Sequence, residues 1–197
     1  MNRNILICGV GGQGVVLTSK LLAKAAMAKG LFARTAETIG MAQRGGSVVS
    51  HVRVGESFSP LIPKGFADAI LALEPAEAVR CLSYLKPGGA VVASRKAVKP
   101  VTAALSGSGY SAEEMLAYLA QKAKLVSVDT EAICREAGSG RAANMAILGA
   151  AAASGALGFD LPEIEALLEE LGGRFLPVNL SALRLGAEAT TKGAITP

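Results

Sequence analysis

Residues 5–8 form a short apolar run that ends at a glycine, and Gly9, Gly11, Gly12 and Gly14 then place four glycines within six positions. From Val15 the pattern becomes helical, with Val15, Leu21, Leu22, Ala25 and Ala26 along one stripe and Lys20, Lys24 and Lys29 outside it. A chain that passes from strand to helix in so few residues needs positive φ angles and close backbone approach, which glycine supplies. This stretch therefore constrains the fold more than any other. Residues 5–8 read as a strand buried on both faces of a parallel sheet, and Gly30 stops the helix that follows. Residues 31–37 read as a second strand that completes a βαβ unit.

Further along, strands are expected at 47–54, 67–74, 90–94 and 125–130, with residues 40–46 a loop and the Lys86-Pro87-Gly88-Gly89 stretch a turn. Pro75 opens a helix to about Leu85, because proline suits a first helical turn. Ser111 caps a helix over 111–124, with Glu114 in capping-box register. The Ser-Gly-Ser-Gly stretch at 106–109 is a flexible connection. After residue 130 only helices are predicted, over 131–136, 142–153, 161–171 and 180–189. Asp160 caps the third with Glu163, and Leu161, Ile164, Leu168 and Leu171 form its buried stripe. Strands alternating with helices, followed by helices alone, define an α/β fold: a Rossmann-like open, mostly parallel sheet flanked by helices, with a C-terminal helical extension. A single domain over residues 1–197 is expected, with its core over about 1–130 and the extension over about 131–197.

Composition removes several function classes. The net charge is +4 with Lys and Arg scattered, and there is no tryptophan, so neither a basic stripe nor a stacking platform for nucleic acid exists. Cys8, Cys81 and Cys134 are far apart and include no Cys-x-x-Cys pair, which disfavours a zinc ribbon or an iron–sulfur cluster held by this chain. Residues 142–159 carry no charge, but alanine and glycine dominate them and contribute little to membrane insertion. No signal peptide is read at the start. The expectation is a soluble cytoplasmic protein without a membrane span. The alanine-rich helix over 142–153 suits a close helix–helix contact, including one between copies of the chain.

Two stretches carry candidate site residues. Gly9, Gly11 and Gly14 satisfy G-x-G-x-x-G after a strand, a geometry that aims amides and a helix dipole at an anion. Glu37, at the end of the second strand, stands where a ribose-binding acid would be expected, which keeps NAD open. Gly12 and Gln13 weaken that reading, because Gln13 can bond a neighbouring loop or subunit as readily as a ligand. Cys8 disfavours a methyltransferase, and the missing zinc cysteine pairs disfavour a ubiquitin-activating type of adenylating enzyme. In the second stretch, Arg44 precedes Gly45, Gly46 and Ser47, setting a guanidinium beside a run of amides that can bind carboxylate or phosphate. Strand alternation then places Ser47, Val49, His51 and Arg53 on one side. His51 is the only histidine and is read as a packed or solvated imidazole.

The Gly-Val-Gly-Gly-Gln-Gly turn together with residues 36–55 resembles the gamma-type domain of the 2-oxoacid:ferredoxin oxidoreductases. The likeness is greatest to the branch containing the small beta subunit of indolepyruvate ferredoxin oxidoreductase. It spans most of the chain, and residues 140–150 fit a later family segment. The resemblance implies a subunit of a heteromer that converts a 2-oxoacid, most plausibly an aryl pyruvate such as indolepyruvate, to the acyl-coenzyme A with electrons to ferredoxin. Thiamine diphosphate, Mg and 4Fe-4S clusters would then sit on a large alpha subunit, with coenzyme A as substrate. This chain shows no Gly-Asp-Gly with a paired Asn for thiamine diphosphate and no clustered cysteines. Gly9, Gly11, Gly12, Gln13, Gly14, Arg44, Gly45, Gly46, Ser47 and Arg53 become candidates for an anionic group such as a coenzyme A phosphate, or for the partner chain. No residue is assigned as catalytic or as a metal ligand. The alternatives are a gamma subunit for pyruvate, 2-oxoglutarate or branched-chain 2-oxoacids, and a stand-alone NAD-dependent dehydrogenase.

Overall fold

The computed structural model describes residues 1–37, 46–98 and 110–192. The strands are β1 (Arg3–Val10), β2 (Ala33–Glu37), β3 (Ser47–Val54), β4 (Ala67–Ala72), β5 (Leu85–Ser94) and β6 (Lys124–Val128). The helices are α1 (Val15–Ala28), α2 (Pro75–Cys81), α3 (Ala112–Lys122), α4 (Thr130–Glu136), α5 (Ala143–Ala153), α6 (Leu161–Leu171) and α7 (Leu176–Lys192). The six strands form one sheet in the order β2-β3-β1-β4-β5-β6. Neighbours β1, β4, β5 and β6 are parallel, whereas β3 runs antiparallel to both β1 and β2.

The expected βαβ unit is therefore split, since β3 inserts between β1 and β2. Side chains explain the order. Val52 and Val54 of β3 are fully buried, as a central strand requires, while β2 carries exposed Arg34 and Thr35 and takes the edge. The Lys86–Gly89 stretch also differs from the expectation of a plain turn. It lies within β5, and the pairing with β4 jumps from Ala67–Leu85 to Ala69–Ala90 across it, as a bulge that loops out the intervening residues. The helix opened by Pro75 stops at Cys81 and tightens into a 3-10 turn, Leu82–Tyr84.

Each face of the sheet has its own apolar layer. On one, α1, α4, α5, α6 and α7 pack over Ile5, Ile7, Val52, Leu71 and Val92. On the other, α2 and α3 cover Leu6, Cys8, Ile70 and Val91. Helices α1 and α2, which follow β1 and β4, thus leave for opposite faces. Local signals set the helix starts: Ser111 accepts the Glu114 amide at 3.2 Å, Asp129 accepts that of Ala132 at 3.0 Å, and the Asp160 amide donates to Glu163 at 2.8 Å.

Helix α5 does make a close helix–helix contact, and its partner is α7 of the same chain. A Cβ on Gly149 would lie 1.9 Å from the Leu183 carbonyl oxygen, and one on Gly186 would lie 2.1 Å from that of Ala146. Residues 144–152 of α5 are all buried, which leaves none of that stretch for a contact between copies.

Alanine normally stabilises a helix interior relative to glycine by about 1 kcal/mol. Here the sign reverses. Gly149→Ala and Gly186→Ala should each cost about 2 kcal/mol or more in urea unfolding, because two backbones must separate. Gly140→Ala, where an added Cβ meets nothing within 4 Å, should stay within about 0.5 kcal/mol.

Candidate functional site

The crevice between the carboxyl ends of β1 and β4 is where the sheet reverses direction of winding, the position at which open α/β folds bind ligands. Gln13 fills its mouth. The Gln13 side-chain oxygen accepts the Val10 amide at 2.8 Å, and its Nε2 donates to the Leu73 carbonyl at 3.0 Å. The long amide thus bridges the ends of the two strands. Gly9 is needed beneath it, since a Cβ there would stand 2.6 Å from the Gln13 oxygen and 3.0 Å from Leu73 Cβ.

The remaining turn residues divide by what they face. Gly11 donates to the Gly46 carbonyl at 2.9 Å, which joins the turn to the start of β3. The Gln13 amide returns to Val10 O at 3.2 Å. Gly12 and Gly14 have φ of 92° and 89°, the left-handed region that favours glycine. Gly12 is exposed on the outer bend, while Gly14 abuts Asn144 of α5, whose Nδ2 would be 2.8 Å from an added Cβ.

Structure brings Gly46 and Ser47 to this rim. Arg44 and Gly45, which precede them, lie outside the described residues. Arg53 is not brought there. Six residues further along β3, it stands about 20 Å away at the opposite end of the sheet. Its guanidinium donates to Asn4 Oδ1 at 2.9 Å and to the Ser59 and Leu61 carbonyls at 3.1 and 3.2 Å. Three bonds to its own chain make it a brace for residues 59–61. Glu37 likewise has a partner: it accepts the buried Ser19 hydroxyl at 3.0 Å. His51 accepts the Ile62 amide at 3.2 Å and packs edge-on against Tyr84, and burial lowers its pKa.

Two carboxylates at the rim escape sequence reasoning. Glu74, 1% exposed, caps α2 by accepting the Glu77 amide at 3.1 Å, and it also accepts the Val98 amide and the Tyr110 hydroxyl. Burial first, then the Glu74 bond, pushes the Tyr110 pKa up. Glu77, 4% exposed, accepts the Ser47 hydroxyl at 2.6 Å and pairs with Arg80 at 3.2 Å. The one available signal was the Glu-Pro step at the end of a strand, which marks an acidic cap. These groups tie β3, β4 and the flanks of residues 99–109 to α2. Their oxygens are engaged by internal donors.

The cysteines do not make a cluster site. Cys8 and Cys81 share one face of the sheet, and their mutual thiol hydrogen bond together with burial raises the Cys8 pKa; Cys134 lies on the other face. Among the described residues no group of three His, Cys, Asp or Glu side chains is placed to hold a metal ion. Nor is any described helix long and apolar enough to cross a membrane. The residues present do not fit an iron–sulfur cluster. What the fold and site define is an α/β domain with a glycine-rich strand-to-helix turn and a rim of internally bonded side chains.

Comparison with known proteins supplies the family. The chain belongs to the pyruvate ferredoxin/flavodoxin oxidoreductase family, whose model matches residues 4–189. Indolepyruvate oxidoreductase subunit IorB of Archaeoglobus fulgidus is 38% identical, over 98% of both chains. The fold is similar to the keto/oxoacid ferredoxin oxidoreductase gamma subunit from Geobacter sulfurreducens PCA, with a TM-score of 0.70 at 22% identity over 96% of this chain and 99% of that one. It is equally similar, at 0.70 and 21% identity, to the 2-oxoglutarate:ferredoxin oxidoreductase from Magnetococcus marinus; 99% of this chain covers 32% of that one.

Removing the Gln13 amide should loosen the crevice. Gln13→Ala leaves the buried Val10 amide and Leu73 carbonyl without their side-chain partner, an expected cost of about 1–3 kcal/mol in chemical denaturation. Hydrogen exchange at Val10 should accelerate, while exchange in β6 stays unchanged.

Proposed function

We propose that the chain is the small subunit of a heteromeric 2-oxoacid:ferredoxin oxidoreductase that acts on indolepyruvate or a related aryl pyruvate and works in the cytoplasm. The observation that carries this reading is the near-full-length likeness to the indolepyruvate oxidoreductase subunit of Archaeoglobus fulgidus. In such an enzyme, thiamine diphosphate would supply the chemistry of decarboxylation and iron–sulfur clusters that of electron transfer to ferredoxin, with coenzyme A as the acyl acceptor. These groups would belong to a large alpha subunit. In this proposal one domain over residues 1–197 serves the complex, and three buried free thiols fit a reducing compartment.

This chain's own task is to bind and orient. The turn from Gly9 to Gly14, joined by Gly46 and Ser47 and preceded by Arg44 and Gly45, offers one wall to an anionic group such as a coenzyme A phosphate. Gln13 holds that wall rigid and keeps water from the strand ends. Ser47, fixed by Glu77, sets the height at which the Gly46 carbonyl meets the turn. The stand-alone dehydrogenase reading loses support, because Gln13 occupies the crevice mouth and Glu37 is bonded to Ser19 rather than free for a ribose.

The surface proposed to dock the large subunit lies at the amino ends of the parallel strands. Phe58 is fully exposed, and Phe32, Leu61 and Phe66 are more than half exposed. Hydrogen bonds gather them: the Gly55 amide donates to the Phe32 carbonyl, the Arg53 guanidinium to that of Leu61, and the Asn4 side-chain amide to that of Phe66, with Asn4 Oδ1 also accepting from Arg53. Isolated chains rarely leave such a patch uncovered.

Purified alone, the chain should show no indolepyruvate-dependent dye reduction, and co-expression with the large subunit should restore activity that also requires coenzyme A. Activity of the small chain by itself, or reduction of NAD, would overturn the proposal. Arg44→Ala should raise the KM for coenzyme A at least about tenfold with the heteromer intact, as loss of a charge-assisted bond implies. Phe58→Asp with Phe66→Asp should instead release the large subunit in size-exclusion chromatography.

A further inference from the structure

A second cavity opens at the carboxyl ends of β5 and β6, on the far side of α5's first turn from the glycine turn. Its volume is about 470 Å³, and Lys96, Thr130, Glu131, Arg135, Ser139 and Gly140 line it, with Cys134, Gly138 and Ala143 completing the wall. The frame is fixed from within. The Ser94 and Thr130 hydroxyls bond at 2.7 Å beneath it, and Ser94 Oγ accepts the Lys96 amide at 3.0 Å, which sets where that lysine leaves β5. Across the opening, Ser139 donates to the Cys134 carbonyl at 2.9 Å, and the Arg141 amide donates to Ser139 Oγ at 3.3 Å. The loop between α4 and α5 is thus held in shape.

Charge gives the cavity its preference. Two lining cations stand against one lining carboxylate, a balance of +1 (Lys96 and Arg135 less Glu131). Glu131 pairs with Lys96 at 3.1 Å, with both side chains at least half exposed and so free to part. Arg135, exposed, has no side-chain partner among the described residues. An exposed pair of that kind is worth little, so a ligand with more charge than one carboxylate can displace Glu131 from Lys96. A guanidinium fork and an ammonium lining one cavity suit oxygens spread over two phosphoryl groups better than a single carboxylate.

We propose that this cavity is a second anion site, for the diphosphate group of a phosphorylated ligand. Lys96 and Arg135 bind its oxygens, and the Ser139–Gly140 backbone forms the rim. The assignment stands on this chain's own residues and requires neither the large subunit nor turnover.

Titration of the 15N-labelled chain with inorganic pyrophosphate, followed by amide NMR, tests it. Saturable shifts of Ser139 and Gly140 are expected. Lys96→Ala with Arg135→Ala should weaken binding at least about tenfold, since each removes a charge-assisted contact. The Gly12 and Gly14 resonances of that variant should match the wild type, which shows that it folds. Parallel titrations with adenosine diphosphate and coenzyme A name the source. Equal affinity for all three assigns the site to diphosphate alone, and tighter binding of the latter two extends it to a nucleotide. Shifts confined to residues 9–14, no saturation at millimolar pyrophosphate, or equal affinity in the double variant would overturn it. None of these results depends on oxidoreductase activity, so failure here leaves the subunit assignment to its own assay.

Discussion

One side-chain amide organises the functional end of this sheet. Parallel strands β1 and β4 separate at their tips, because α1 and α2 leave toward opposite faces. Gln13 spans the gap with one donor and one acceptor, both spent on backbone groups of the strands themselves. Everything around it follows that geometry. Gly9 must lack a Cβ to admit the amide, Gly11 is free to pair with Gly46, and β3 is thereby registered against the turn. A glycine-rich turn serves first to connect elements, and only what remains exposed, chiefly Gly12, is left for a ligand.

The rim also shows how buried charge can shape a site without reacting in it. Glu74 and Glu77 lie almost wholly out of water, a costly place for carboxylates unless several donors converge on them. Amides, hydroxyls and Arg80 supply those donors. The result is a junction of β3, β4 and α2 whose parts cannot shift independently. Such stiffness suits a chain whose contribution to a reaction is the placement of groups held elsewhere.

Much of this was legible in the residues and some was not. The strand–turn–helix around Gly9–Gly14 followed from glycine spacing, and the starts of α3 and α6 from Ser111 and Asp160, because these signals act within a few residues. Neighbour choice is different. Alternation in 47–54 reveals a strand but not that it runs antiparallel between β1 and β2; that depends on comparing the burial appetite of Val52 and Val54 with that of Arg34. Alternation likewise put Arg53 on the side shared with Ser47, while strand rise carried it to the other end of the sheet. The small residues of α5 did announce a close contact. Only the complementary glycine at 186 revealed that the partner was intramolecular. Gln13 was read as open to a neighbour or a ligand, since hydrogen-bond capacity in a sequence carries no direction.

The interlock of Gly149 with Gly186 has a consequence for how the protein is made. Every described strand lies upstream of α7, and α5 packs on the sheet on one side and against α7 on the other. During synthesis, the side of α5 that meets Leu183 and Gly186 therefore waits for residues 176–192 to leave the ribosome. A nascent chain halted before that point has its described strands complete but lacks the helix that interlocks with α5. Slow translation of the last helix would lengthen the interval in which chaperones, or another stalled copy, can reach it.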